Sequence, residues 1–384
     1  MRYLEAFREP TAAAAFSELI SEEVDPRREY YLMEFCGGHT HAIFHFGVQD
    51  FLPGNVHLVH GPGCPVCVLP LPRLNAAIEL ANLPNVTLVS YGDMMRVPAS
   101  RRQSLLKARA KGADIRMALS AMDALQIAVD NPDREVVFFA IGFETTTPAT
   151  AYVLQQAKDR GIRNFTVYCN HVITPAAMKS ILDSHEVQGS GEVRIEGFIG
   201  PSHVSTLIGM RPYEIFATQY HRPVVIAGFE PLDVMQAVHM LVRQLNAGHA
   251  RVENQFTRGV TYGGNKKAQV MIADVFELRP SFEWRGLGEL PDSAVQIRQK
   301  YREFDAEHRF DVKTIPVVEN AACQCPAILR GTKKPTDCSI FGTACTPRTP
   351  IGSCMVSSEG ACAAYYKYRR PSLIQPDRAA PENH

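Results

Sequence analysis

Net charge is the first thing this sequence lacks: over 384 residues, 40 Lys and Arg stand against 40 Asp and Glu. A zero balance argues against nucleic acid or an anionic membrane as the main partner. No window reaches eighteen uncharged apolar residues, so no membrane-spanning helix is expected. The opening MRYLEAFREPTAAAAFSELI carries acidic residues and no apolar core with a cleavage site, so no secretory leader is read there. Together these absences make the cytoplasm the expected compartment. A phosphate-binding G-x-x-x-x-G-K-S/T is missing, which leaves a P-loop nucleotide site without support. The C-x3-C-x2-C signature of radical S-adenosylmethionine chemistry is missing too.

What is present is a core and an excess of thiols. Hydrophobic residues make up 46% and charged residues 21%, ordinary for a globular chain whose length allows two or three domains. Ten cysteines in a reducing compartment point to ligands or catalytic thiols rather than structural disulfides. Short β-rich runs alternate with helical stretches: Tyr30 to Phe35, Val56 to His60, Val86 to Tyr91, Glu135 to Ile141, Phe165 to Cys169, Ile195 to Ile199 and Val224 to Ala227. This alternation predicts an α/β fold of two parallel-sheet domains with helices on both faces, over residues 1–125 and 126–235. A helical stretch from Ala113 to Val129 is expected to bridge them. Residues 236–384, with a charged helix near Ala294 to Glu307 and a cysteine-rich tail, form a third, iron–sulfur domain, to which the N-terminal helix is a candidate addition.

Sites in open parallel sheets form at the carboxyl ends of strands. Here those turns hold Cys36-Gly-Gly-His39-Thr-His41, Gly61-Pro-Gly-Cys64-Pro-Val-Cys67, Asp93, Glu144, Asn170 with His171, Ser202 with His203, and Glu230. Thiolate and imidazole at Cys36, His39 and His41 suit iron, zinc or copper. Cys64 and Cys67 form a C-x-x-C, which serves either redox exchange or metal ligation. Glu144 is read as a proton-handling carboxylate facing the thiols, and Thr145 to Thr147 and Thr174 as helix caps. His171, His203 and Cys169 are read as structural.

The tail places six cysteines in the forty residues from Cys323 to Cys362. Four suffice for a tetrahedral zinc or a cubane cluster, and the paired C-x2-4-C knuckles of structural zinc are absent, which favours iron–sulfur. One partition takes Cys323, Cys338, Cys345 and Cys362 as ligands and leaves Cys325 and Cys354 as a second dithiol. Other four-of-six choices stay open. An iron–sulfur thiol–disulfide oxidoreductase and a zinc-stabilised scaffold are the competing readings.

The motifs at Cys36 to His41, Gly61 to Cys67 and Gly142 to Pro148, and the tail ending Gly352-Ser-Cys354-Met-Val-Ser-Ser-Glu359-Gly-Ala-Cys362, together carry a specific family likeness. Over essentially its whole length it resembles the hydrogenase maturation factor HypD family. That resemblance implies a role in building the Fe(CN)2CO centre of nickel–iron hydrogenases, as an assembly factor with redox activity rather than a free-standing enzyme. It implies a HypC-type chaperone and a HypE-type cyanide donor as partners, the hydrogenase large subunit as the indirect recipient, and no nucleic acid or membrane. Cys36 would hold the iron ion supported by His39, Cys64 and Cys67 would be a redox pair and occasional ligands, and the tail would carry a 4Fe-4S cluster.

Overall fold

The computed structural model of the protein describes residues 7–190, 193–317 and 319–368. Helix α1 (Pro10–Glu23) leads into strand β1 (Tyr30–Glu34), helix α2 (Gly37–His45), β2 (Val56–His60) and the short helix α3 (Pro65–Val68). Then follow β3 (Val86–Ser90), β4 (Ile115–Met117), β5 (Glu135–Gly142), β6 (Phe165–His171), helix α4 (Thr174–Leu182), β7 (Gly197–Gly200), β8 (Val224–Ile226), helix α5 (Pro231–Asn246) and β9 (Val252–Asn254), with further helices between. A hairpin of β10 (Phe276–Trp284) and β11 (Gly288–Ile297) comes before the tail, which ends in helix α6 (Ala361–Tyr368).

Every expected strand forms, and all pairings in the two larger sheets are parallel. Burial on both faces explains why these strands read as continuous apolar runs: β3 and β6 are buried at every position. Sheet membership, however, is interleaved rather than linear. One sheet has the order β2-β1-β7-β8-β9 and the other β4-β3-β5-β6, so the chain leaves the first sheet after β2, builds the second, and returns at β7. Local patterning specifies strands, whereas pairing partners are chosen by tertiary packing, and this is why the expected division near residue 125 does not separate the two sheets.

Two expected helices are corrected. Within Ala113 to Val129, Ile115–Met117 is the edge strand β4, and the helix begins only at Ala121, set by a capping box between Ser120 and Asp123. Ala294 to Ile297 belongs to β11, because its ladder with Phe276 to Arg279 and the burial of Ala294, Val295 and Ile297 outweigh the local charge pattern. The N-terminal helix packs on the first sheet's side of the molecule: Ala13 and Ile20 share a core with Val234, Val238 and Leu241 of α5.

The hairpin turn positions the site. Arg285 donates its amide to the Val68 carbonyl at the end of α3 (2.8 Å), Trp284 is fully buried, and Arg330 of the tail donates to the Gly286 carbonyl at 2.7 Å. The turn thus wedges α3 against the cysteine-rich tail.

Candidate functional site

Cys36 and Cys64 each cap a helix that follows a strand of the first sheet. Their turns are joined through glycines: the Gly37 amide donates to the Gly63 carbonyl at 2.9 Å. A side chain at Gly63 would put its Cβ 2.5 Å from the Cys36 nitrogen, and one at Gly37 would lie 2.4 Å from the Glu359 Cβ. Only residues without a Cβ let both turns and the tail loop close on the Cys36 backbone.

Beneath Cys36 lies a fully buried carboxylate. Glu34 accepts the Cys36 amide at 3.0 Å and the Thr40 hydroxyl, and pairs with His60 Nδ1 at 2.7 Å. Burial pushes the Cys36 thiol up to about 12. The charges of Glu359 and Glu34 add to the rise, while the backbone amides of Gly38 and His39 oppose it. Glu359 is itself raised by burial and by Asp93 and Glu34. His39 sits across the site with Nε2 against the carbonyls of Ala227 (3.1 Å) and Gly228 (3.0 Å), which makes Nε2 the protonated nitrogen. Its Nδ1 is buried with no hydrogen-bond partner among the described residues, and burial lowers the ring's pKa so that it is neutral. A neutral imidazole with a free lone pair, a thiol and two carboxylates are donor types that take a cation, although no three of them converge on one point among the described residues.

From Cys64 the thiols run on without a break. Cys67 lies beside both Cys64 and Cys354, Cys354 beside Cys325 and Cys362, and Cys325 beside Cys323, each near enough to shift its neighbour's titration. The Cys354 amide points at the Cys325 sulfur at 3.4 Å. Cys67 is raised by burial and by its two thiol neighbours. Cys354 is pulled down by Cys325 and Cys67 but pushed up by Cys362 and by burial, and ends at about 11. The Ser353 hydroxyl fastens the junction by donating to the Cys67 carbonyl at 3.1 Å.

All six tail cysteines line one pocket, with Ile328, Ile340, Phe341 and Met355 as its apolar walls. Gly352 closes one side, where a Cβ would lie 2.6 Å from the Cys323 sulfur. No three His, Cys, Asp or Glu side chains among the described residues converge as ligands of one ion. A cubane cluster asks for a different arrangement, four thiols spaced around a larger body, and this cysteine-lined apolar pocket offers the thiols for it.

Glu144 is engaged by a helix end. Its carboxylate accepts the Thr174 amide (2.9 Å) and hydroxyl (2.8 Å), so it caps α4, and Thr174 is the first helical residue rather than the cap. Burial pushes Glu144 up to about 7. Thr146 stands at the cap position of the preceding helix, but its hydroxyl donates to the Ile141 and Phe143 carbonyls instead of capping. His171 is buried, with Nε2 2.9 Å from the Thr150 hydroxyl, and Cys169 is a buried small side chain, both as read. His203 packs at a tilt against Phe229, ring centroids 4.2 Å apart, beside His39. Sequence reasoning assigned no role to Glu34, Ser353 or Glu359. The signal for Glu34 was available, since a carboxylate inside the run YYLMEF is rarely buried without a purpose.

Among the described residues no helix is long and apolar enough to cross a membrane. Residues 11–369 match the sequence model of the family described as "HypD: Hydrogenase formation hypA family". The "Hydrogenase maturation factor HypD" of Azotobacter vinelandii is 61% identical over 370 residues, 96% of this chain and 97% of its own length. The proteins of the same name from Cupriavidus necator and Escherichia coli are 60% and 46% identical, each across 96% of this chain and 98% and 99% of their own lengths respectively. A match over nearly the whole chain, with relatives this similar from end to end, places this chain in the HypD family of hydrogenase maturation factors.

Proposed function

We propose that this chain helps assemble the Fe(CN)2CO centre of nickel–iron hydrogenases. It holds one iron as cargo with a HypC-type chaperone, takes cyano groups from a HypE-type donor, and hands the centre on toward the hydrogenase large subunit. The observation that carries this reading is the junction of the Cys36 turn, the Cys64/Cys67 turn and the tail thiols in one continuous buried site.

Cys36 is the iron ligand. Alone it stays protonated, but a divalent cation displaces that proton and is balanced by Glu34 and Glu359. His39 supports it through its unpartnered Nδ1, and Cys64 and Cys67 reach the iron in some states.

Releasing cyanide from a sulfur carrier takes two electrons: R–S–CN plus two electrons gives R–S⁻ and CN⁻. A dithiol closing to a disulfide releases two electrons and two protons. Cys64 and Cys67 are that dithiol, and the Cys67–Cys354 contact lets Cys325 and Cys354 restore it by thiol–disulfide exchange. Glu144, raised by burial to about 7, handles protons. Cys323, Cys338, Cys345 and Cys362 would hold a 4Fe-4S cluster, which supplies one-electron transfer when bound.

The test is anaerobic purification followed by an absorption spectrum with iron, zinc and acid-labile sulfide analysis, on the parent chain, Cys338→Ala and Cys36→Ala. The expected result is a brown protein with about four irons and about four sulfides lost in Cys338→Ala, and additional iron lost only in Cys36→Ala. A colourless parent chain holding about one zinc would instead support the scaffold.

A further inference from the structure

Helix α2 carries two imidazoles that the assembly site does not use. His41 and His45 stand one turn apart, His45 exposed and His41 half-buried, with ring centroids 5.5 Å apart and planes inclined by 24°. Two histidines at positions i and i+4 on one helix face are the spacing with which a helix chelates a divalent ion. The backbone of Ser358 in the tail loop lies beside the His41 ring. The Tyr368 ring stands edge-on to both imidazoles, at 5.4 and 4.8 Å, and Lys367 is the neighbouring positive charge.

We propose that His41 and His45 form a surface site for a first-row divalent metal ion, and that it acts as a landing pair from which iron is loaded onto Cys36. Imidazole is a borderline ligand that takes iron, cobalt, nickel and zinc. The same tail loop ties the two places together, since Ser358 lies beside His41 while its neighbour Glu359 packs on Gly37 beside Cys36. The loading role rests on the reading of Cys36 as the iron holder; the binding itself does not.

The test uses the full chain, chelator-treated and anaerobic, titrated with Co2+ and read by calorimetry and absorption. A component without thiolate-to-metal charge transfer should persist in Cys36→Ala and weaken by about tenfold or more in His45→Gln. Because His45 is exposed, circular dichroism should show His45→Gln folded. Indistinguishable Co2+ titrations of the parent and His45→Gln overturn the site. In a second arm, limiting Fe2+ should reach Cys36 more slowly in His45→Gln, with the same amount bound at saturation. An unchanged uptake rate overturns the loading role while the site stands. A parent chain that never holds iron at Cys36 overturns the assembly reading and likewise the loading role, with the Co2+ component still readable.

Discussion

The Ser353 hydroxyl donates to the Cys67 carbonyl at 3.1 Å, and this bond joins the tail to the C-x-x-C turn where the two sets of thiols touch. Both groups are fully buried, so neither can turn to water in its place. Ser353→Ala is expected to cost about 1–3 kcal/mol by orphaning that carbonyl. It should also slow disulfide transfer between Cys67 and Cys354. Thermal melts give the first quantity, and timed alkylation with mass spectrometry gives the second. Unchanged melting and transfer would show that the hairpin wedge alone seats the tail.

Gly63 allows the C-x-x-C turn to lie on the Cys36 backbone, and the alanine Cβ would stand 2.5 Å from the Cys36 nitrogen. Backbone rather than a flexible side chain is in the way, so relief requires the two turns to part. Gly63→Ala is expected to destabilise by about 1–3 kcal/mol and to lower iron retention at Cys36 even where the chain folds. Denaturant unfolding and metal analysis check it.

Glu34 holds the Cys36 amide, the Thr40 hydroxyl and His60 with one buried carboxylate. In Glu34→Gln an amide NH2 must face one of these groups, at a cost of about 1–3 kcal/mol. The lost charge also removes one of the anions that would balance iron. Iron affinity should therefore fall by more than in Thr40→Val, which leaves the carboxylate in place. Equal affinities in the two variants would assign Glu34 a purely structural role.

Glu144 links stability to pH. Its carboxyl is raised from 4.5 to about 7 by burial, so between those values the folded chain keeps a proton that the unfolded chain has lost. Stability from this group is therefore present below about pH 4.5 and is lost as pH rises through about 7. Relative to Glu144→Gln, which cannot titrate, the parent chain should lose melting temperature steadily between pH 5 and pH 7.5. A constant difference across that range would remove the shift. His171, lowered to about 3 by burial, acts in the opposite sense in both proteins, destabilising as pH falls below about 6.5, and cancels in the comparison.

The sequence by itself determined the strands, their parallel character, the reactive turns after them and the cysteine-rich tail. These are properties of short segments: runs of buried apolar residues, glycines where backbones approach, and thiols at close spacing. Only the tertiary structure decided which strands share a sheet. β7 returns to pair with β1 although the whole second sheet intervenes in sequence, and no local pattern encodes a partner at that separation. Nor could spacing show that Glu144 caps α4, that Glu359 of the tail closes on the turn beside Cys36, or that Cys67 meets Cys354. Each of these is a contact between segments far apart in the chain, fixed when the hairpin turn and the tail are packed around α3, because burial leaves each polar group only the partners that the fold brings to it.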